Sequence, residues 1–218
     1  MCGRYANHVK SMQQWTPLLK DWPEDVALGY NVAPTAIVPA FRGNKGVGMR
    51  WGLIPHWSQD GKSKYATFNA RLESVESKPA YRTAWRHCNK CLIPALGYYE
   101  WRVEGGRKQP YFVTSSEAEP LVFAGIWDEW NGDGESILSC SIITTSSIGE
   151  LVPLHDRMPV MLTVDAAERW LDSDATNAKK ILEHAPLLEL LVYKVGLAVN
   201  HVQNQGQALI EPLDQGVS

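Results

Sequence analysis

Cys91-Leu92-Ile93-Pro94-Ala95-Leu96-Gly97-Tyr98-Tyr99-Glu100-Trp101 is the stretch whose reading decides the fold class. It is apolar from Cys91 to Tyr99 and then meets a carboxylate set between aromatics. Three similar segments follow it: Tyr111–Thr114, Leu121–Trp127 and Ile137–Thr145. Their β-branched and aromatic content and their turn-rich boundaries favour strands. Gly105-Gly106-Arg107, between the opening stretch and Tyr111–Thr114, suggests a hairpin. Upstream, Ala36–Arg42 and Val47–Leu53 read as strands around the turn Gly43-Asn44-Lys45-Gly46. Downstream, Leu190–Val195 reads as a late strand. Helices are expected at the edges of this β-rich middle. His8–Lys20 has apolar residues near helical spacing and Asn7 as a candidate cap, with Pro17 arguing against it. Residues 72–87 look partly helical and basic. Asp165-Ala166-Ala167-Glu168 resembles a capping box opening a helix to about Leu171, and Asn177–His184 reads as another. No sequential βαβ pattern occurs. The fold class expected is α+β, a single β-rich domain over residues 1–218.

The 218 residues are 44% hydrophobic and 21% charged, which fits a globular chain and excludes a disordered or fibrous one. No apolar run is long enough for a transmembrane helix, and the start lacks the apolar core of a secretory signal. Four cysteines do not make a disulfide scaffold, so a reducing cytoplasm is expected. The net charge of −3 conceals an asymmetry: residues 1–110 hold 16 Lys and Arg against 8 Asp and Glu, whereas residues 111–218 hold 5 against 16. A basic first half suits a phosphate-binding face, unless folding mixes the two halves.

Five places carry candidate chemistry. Removal of Met1 would leave Cys2 first, with an α-amine and a thiol on adjacent carbons. Such a pair condenses with an aldehyde to an imine and closes to a thiazolidine. An ordinary small residue at a frayed end is the competing reading. Leu154-His155-Asp156-Arg157-Met158-Pro159 packs an imidazole, a carboxylate and a guanidinium into three positions. It reads either as a proton shuttle beside a phosphate clamp or as a turn with its own ion pair. Glu100 at the end of its apolar segment is poised for burial, which would make it an acid/base near neutrality. Trp101 beside it offers a stacking face. The alternative is an edge-strand Glu pointing to water. Asn69-Ala70-Arg71 and Tyr30-Asn31-Val32-Ala33-Pro34-Thr35 read as polar loops able to orient a substrate or hold phosphate, or as plain turn chemistry.

Other features say less. Cys88-Asn89-Lys90-Cys91 is a lone CxxC, and a zinc site needs four ligands. Cys91 is expected in a buried strand. No metal and no cofactor is expected. Trp51 and Trp57 sit near the polar loops and are candidates for a stacking platform, with core packing favoured for Trp51. Walker, Rossmann, HExxH and GxSxG motifs are all missing.

Taken in order, Met1-Cys2-Gly3-Arg4, Tyr30–Thr35, Arg50-Trp51-Gly52-Leu53-Ile54-Pro55, Asn69-Ala70-Arg71-Leu72-Glu73, Cys91–Trp101 and His155–Pro159 resemble the SRAP (SOS-response-associated peptidase) family. Leu96 stands where an Asp is common, and Cys88 lies outside the pattern. The resemblance implies an irregular barrel-like sheet with peripheral helices. It also implies a DNA-repair activity on abasic sites in single-stranded DNA, with a covalent thiazolidine crosslink through Cys2 after Met1 is removed. Lyase and self-processing activities accompany it. It makes Cys2 the nucleophile, Glu100 the proton-transfer group, His155 the shuttle and Asn69 the group that positions the lesion. Arg4, Arg71, Thr144 and Arg157 would hold phosphates, and Asn31, Pro34 and Trp101 would also contact DNA. The expected protein is a DNA-associated cytoplasmic monomer, with no membrane partner. Two rival readings stay open: a cysteine peptidase acting in trans, and a non-covalent module for single-stranded nucleic acid.

Overall fold

A computed structural model of the chain describes residues 2–8, 15–117, 120–132 and 134–213. Its strands, in chain order, are β1 (Tyr5–Ala6), β2 (Ile37–Arg42), β3 (Lys45–Trp51), β4 (Asn69–Arg71), β5 (Lys90–Ala95), β6 (Gly97–Glu104), β7 (Arg107–Ser115), β8 (Leu121–Gly132), β9 (Glu135–Ser146), β10 (Arg157–Pro159) and β11 (Leu190–Lys194). The α-helices are α1 (Arg82–Arg86), α2 (Val164–Asp172) and α3 (Ala175–Glu183).

The segment Cys91–Tyr99, one apolar run in the sequence, is two strands in two different sheets. β5 belongs to the larger sheet and β6 to a four-stranded sheet ordered β1-β6-β7-β11. Leu96 is the corner. Its amide donates to Ala6 O at 2.7 Å, and its carbonyl accepts from the Thr114 hydroxyl at 2.6 Å. Gly97 follows because a Cβ there would lie 2.4 Å from the Phe112 ring and 2.5 Å from Val113 O. In the larger sheet β9, β3, β2, β5 and β8 pair in sequence, and β8 pairs back to β9, closing an irregular barrel. The architecture is α+β, β-rich with peripheral helices.

Barrel closure explains the unbroken hydrophobicity of the middle. Successive strand residues point to opposite faces, and here both faces are covered. On β5, Cys91 and Ile93 join one core cluster and Leu92 another; on β8, Phe123 joins the first and Val122 and Ala124 the second. The first cluster fills the barrel and reaches β1, β6 and β7, and the second packs against the helices.

Local signals place most other elements. Gly105 and Gly106 both have positive φ and form the β6–β7 turn. The β2–β3 turn is tighter than expected, because Lys45 and Gly46 already pair with Arg42 and Phe41. α2 starts earlier than the Asp165 box implied. Thr163 is the cap, accepting from Ala166 N at 3.3 Å, while Asp165 pairs with Arg169 at 2.9 Å. Asp174 caps α3 at 2.7 Å. The helix expected over His8–Lys20 lies for residues 9–14 outside the described residues; Trp15–Leu19 form a turn. Between residues 72 and 87 only Arg82–Arg86 is α-helical. Among the described residues, no helix is long and apolar enough to cross a membrane.

Two short strands were read as loops. β4 runs parallel to β9, with Arg71 opposite Thr144, and β10 runs antiparallel to β9, with Arg157 opposite Ser146. Three residues are too few to display a period of two, so only the pairing reveals them. β9 thereby gathers Asn69, Arg71, Thr144 and Arg157 at one end of the barrel.

Candidate active site and nucleic-acid interface

The head of the chain is anchored by β1, where Tyr5 pairs with Tyr98, and by Tyr99 N, which donates to Arg4 O at 2.9 Å. This ladder carries Cys2 toward Glu100. Cys2 is fully buried, and its carbonyl accepts from Asn69 Nδ2 at 2.7 Å. Asn69 is fixed by its strand, and its own carbonyl accepts from the Tyr81 hydroxyl at 2.9 Å. Its side-chain Oδ1 is buried with no hydrogen-bond partner among the described residues. An acceptor left in that state at the foot of a groove suits a polar ligand group. Cys2 belongs to the buried core cluster that also holds Tyr5, Tyr98, Leu154 and Met158. Burial, reinforced by the charge of Glu100, pushes its pKa well above the ordinary thiol range. The resting sulfur is therefore S–H.

Glu100, near the middle of β6, is only 5% exposed. Burial pushes its pKa up to about 7, and the nearby charge of Asp156 adds to the rise. Glu100 is buried as expected and is not an edge-strand Glu pointing to water. His155 precedes β10 and lies 2.7 Å, Nδ1 to Oδ1, from Asp156; the Arg157 amide donates to the same Nδ1 at 3.0 Å. Burial draws the His155 pKa down and Asp156 draws it back. A buried thiol, a carboxyl titrating near neutrality and an imidazole thus come from three distant parts of the chain. Asn69 holds the first in place.

Beside this pocket runs a groove of about 940 Å³, lined by Asn69, Arg71, Lys78 and residues of the loop from Pro55 to Thr67. Lys62, Lys64, Arg71 and Lys78 face it with Asp60 as the single acid. Trp57 and Tyr65 on its lip are 54% and 79% exposed. Exposed aromatics among cations suit stacked bases and phosphates. Trp57 was legible as a stacking candidate, whereas Lys62, Lys64, Tyr65 and Lys78 were not singled out. The interleaving Lys62-Ser63-Lys64-Tyr65 was the available signal.

The chain matches the family model described as SOS response associated peptidase (SRAP) over residues 1–202. The chain belongs to the SRAP family. Abasic site processing protein YoaM of Bacillus subtilis is 34% identical over 97% of this chain and 98% of its own. Abasic site processing protein YedK of Escherichia coli is 28% identical over 98% of this chain and 100% of its own. A solved structure from Bordetella bronchiseptica superposes with a TM-score of 0.80 at 27% identity, covering 90% of this chain and 100% of that one.

Within this SRAP chain, the residues expected at DNA divide into two groups. Arg71 is exposed and lines the groove. Pro34 is half-buried at a second concave face, next to Thr35, which has a φ of 80°. Arg4 and Asn31 are tied into the scaffold. Arg4 Nη1 donates to Asn31 Oδ1 and to Val199 O, each at 2.8 Å, and Asn31 Nδ2 donates to His201 O and Asn204 O at 3.0 Å. Trp101 is half-buried under the Arg4 guanidinium and donates to Asn200 Oδ1 at 2.7 Å. Thr144 is fully buried, its hydroxyl 3.5 Å from Ala70 O. Arg157 is 8% exposed and grips both Glu73 oxygens at 2.7 and 2.8 Å, with a third bond to Thr144 O at 2.7 Å. The turn was read as satisfying its own ion pair, but Arg157 pairs outside it with Glu73, and Asp156 Oδ1 faces His155 Nδ1 instead. In the CxxC, Cys91 is buried in β5 as expected.

Proposed function

We propose that this SRAP chain processes abasic sites in single-stranded DNA by covalent capture. The carrying observation is Cys2 held by Asn69 beside a carboxyl that titrates near neutrality. The names of the YoaM and YedK relatives agree with the substrate. Once Met1 is removed, the Cys2 amine attacks the aldehyde of the ring-opened sugar. Water leaves and a C=N bond forms. The thiol then adds across that bond: a C–S bond forms, and the sulfur's proton is relayed to nitrogen. Because burial keeps the sulfur as S–H, the amine leads and the thiol closes the ring.

In this reading Glu100 exchanges protons at the amine and the sugar oxygen. His155 shuttles them during ring opening and during lyase or reversal steps. Asn69 Oδ1 orients the lesion. Arg71 and the groove lysines take phosphates, Trp57 and Tyr65 take bases, and Pro34 and Trp101 lie against bases further along. Arg4, Asn31, Thr144 and Arg157 act by shaping that surface. The chain works as one domain over residues 1–218 and as a monomer on DNA in the cytoplasm.

The test mixes the protein with single-stranded DNA bearing one abasic site and looks for a complex that survives denaturation. Wild type is expected to form it and Cys2→Ala to lose it. No crosslink from wild type whose intact mass shows Met1 removed, or equal crosslinking by Cys2→Ala, overturns the proposal. Turnover of unrelated peptides dependent on Cys2 would favour a peptidase instead.

A further inference from the structure

One ring nitrogen of His155 is claimed by two groups that cannot both have it. The Arg157 amide donates to Nδ1 at 3.0 Å, and an amide keeps its proton, so this contact requires a bare Nδ1. Asp156 Oδ1 lies 2.7 Å from the same atom, and a carboxylate only accepts, so this contact requires Nδ1–H. The two contacts belong to two states of the ring. With Nδ1 bare the ring is neutral and its proton sits on Nε2. With Nδ1 protonated, the proton that moves is the one on Nε2.

We infer that Asp156 is a positioning residue for His155, holding Nδ1–H during proton transfer at Nε2, while the Arg157 amide holds the neutral resting ring. This rests on the reading above, in which His155 shuttles protons. In the transfer, the Nε2–H bond breaks and an O–H bond forms on the leaving sugar oxygen; Nδ1–H stays on Asp156. The return step places a proton on the Nε2 lone pair. Without Asp156 the spent ring would settle as the Nε2–H form, its lone pair bound to the Arg157 amide and useless to the lesion.

The charges around the ring agree with this assignment. Burial and the Arg157 guanidinium disfavour the imidazolium, and Asp156 favours it. The charge of Asp156 also reaches Glu100. The Asp156 side chain is 77% exposed, so its replacement leaves the core untouched.

The test is a pH titration of DNA-free protein labelled with ¹⁵N-histidine, followed by long-range ¹H–¹⁵N correlation spectra that report each ring's tautomer. His155→Gln identifies the resonance. In wild type, His155 is expected to be the Nε2–H form when neutral. In Asp156→Asn it titrates about half a pH unit lower, a roughly threefold loss of cation at a given pH, and Asp156→Glu restores it. The pH profile of adduct reversal moves the same way. An Asp156→Asn titration that overlays wild type overturns the inference. Because this readout uses no DNA, it stands apart from failure of wild type to crosslink, which would sink the proposed activity instead.

Discussion

Arg71 and Arg157 lie on two short strands that both pair with β9, and they behave in opposite ways. Arg71 lies on β4 opposite Thr144 and faces an open groove; Arg157 lies on β10, is itself buried, and grips the half-exposed Glu73 and the Thr144 carbonyl. The contrast extends to the two regions they represent. The pocket around Cys2, Asn69 and Glu100 is closed and desolvated, so its groups have shifted proton affinities. The groove from Trp57 to Lys78 is wet and cationic. Its charges keep their hydration and act on a ligand by number and spacing. A guanidinium in the first setting stabilises the fold, and one in the second is available to a phosphate.

The sharpest way to break this comparison is Glu100→Gln, which is expected to slow crosslinking by about 10²-fold or more. The same change should stabilise the protein. The Glu100 pKa is raised on folding to about 7, so the ionised side chain destabilises the native state above that pH. The gain should approach about 3 kcal/mol at pH 8, shrink as pH falls through 7, and vanish below the unfolded carboxyl range. Chemical denaturation at pH 8 and at pH 4 checks the sign. A variant less stable than wild type at pH 8 would mean that Glu100 is held for structure.

Arg157→Leu comes next, with an expected loss of about 2–3 kcal/mol of stability, because Glu73 and the Thr144 carbonyl lose their partner. Arg71→Leu in parallel should stay within about 0.5 kcal/mol of wild type. Equal melting temperatures for the two variants would erase the distinction. Tyr65→Ala and Trp57→Ala are each expected to weaken binding of unmodified single-stranded DNA by about 1–2 kcal/mol while leaving the fold alone. Fluorescence anisotropy measures this directly. The smallest effect belongs to Arg71→Leu on DNA, where the slope of log affinity against log salt should fall by about 0.7, one phosphate contact on a single strand. An unchanged slope would take Arg71 off the phosphate path.

Much of the site was legible because its chemistry is local to each residue. A cysteine at position 2, a carboxylate closing an apolar strand and a His-Asp-Arg triplet are visible without coordinates. The groove lysines were not, since Lys62 and Lys64 look like any solvated loop until Lys78 and Arg71 stand opposite them. Arg4, Asn31, Thr144 and Arg157 look equally suited to phosphate and to structure. Their roles turn on partners far along the chain: Arg157 on Glu73, 84 positions away, and Arg4 on Val199, 195 away.

The sequence by itself determined a β-rich α+β chain and most of its strands and turns, and it singled out Cys2, Glu100 and His155 as candidates for the chemistry. These depend on short-range preferences: which residues pack on a pleat, which tolerate a positive φ, which titrate near neutrality. Only the tertiary structure decided that the run through Leu96 would split between two sheets, that Glu100 would be desolvated, and which arginine would face water. Burial and pairing are properties of what the rest of the chain places nearby, and a residue's own neighbours in sequence do not carry that information.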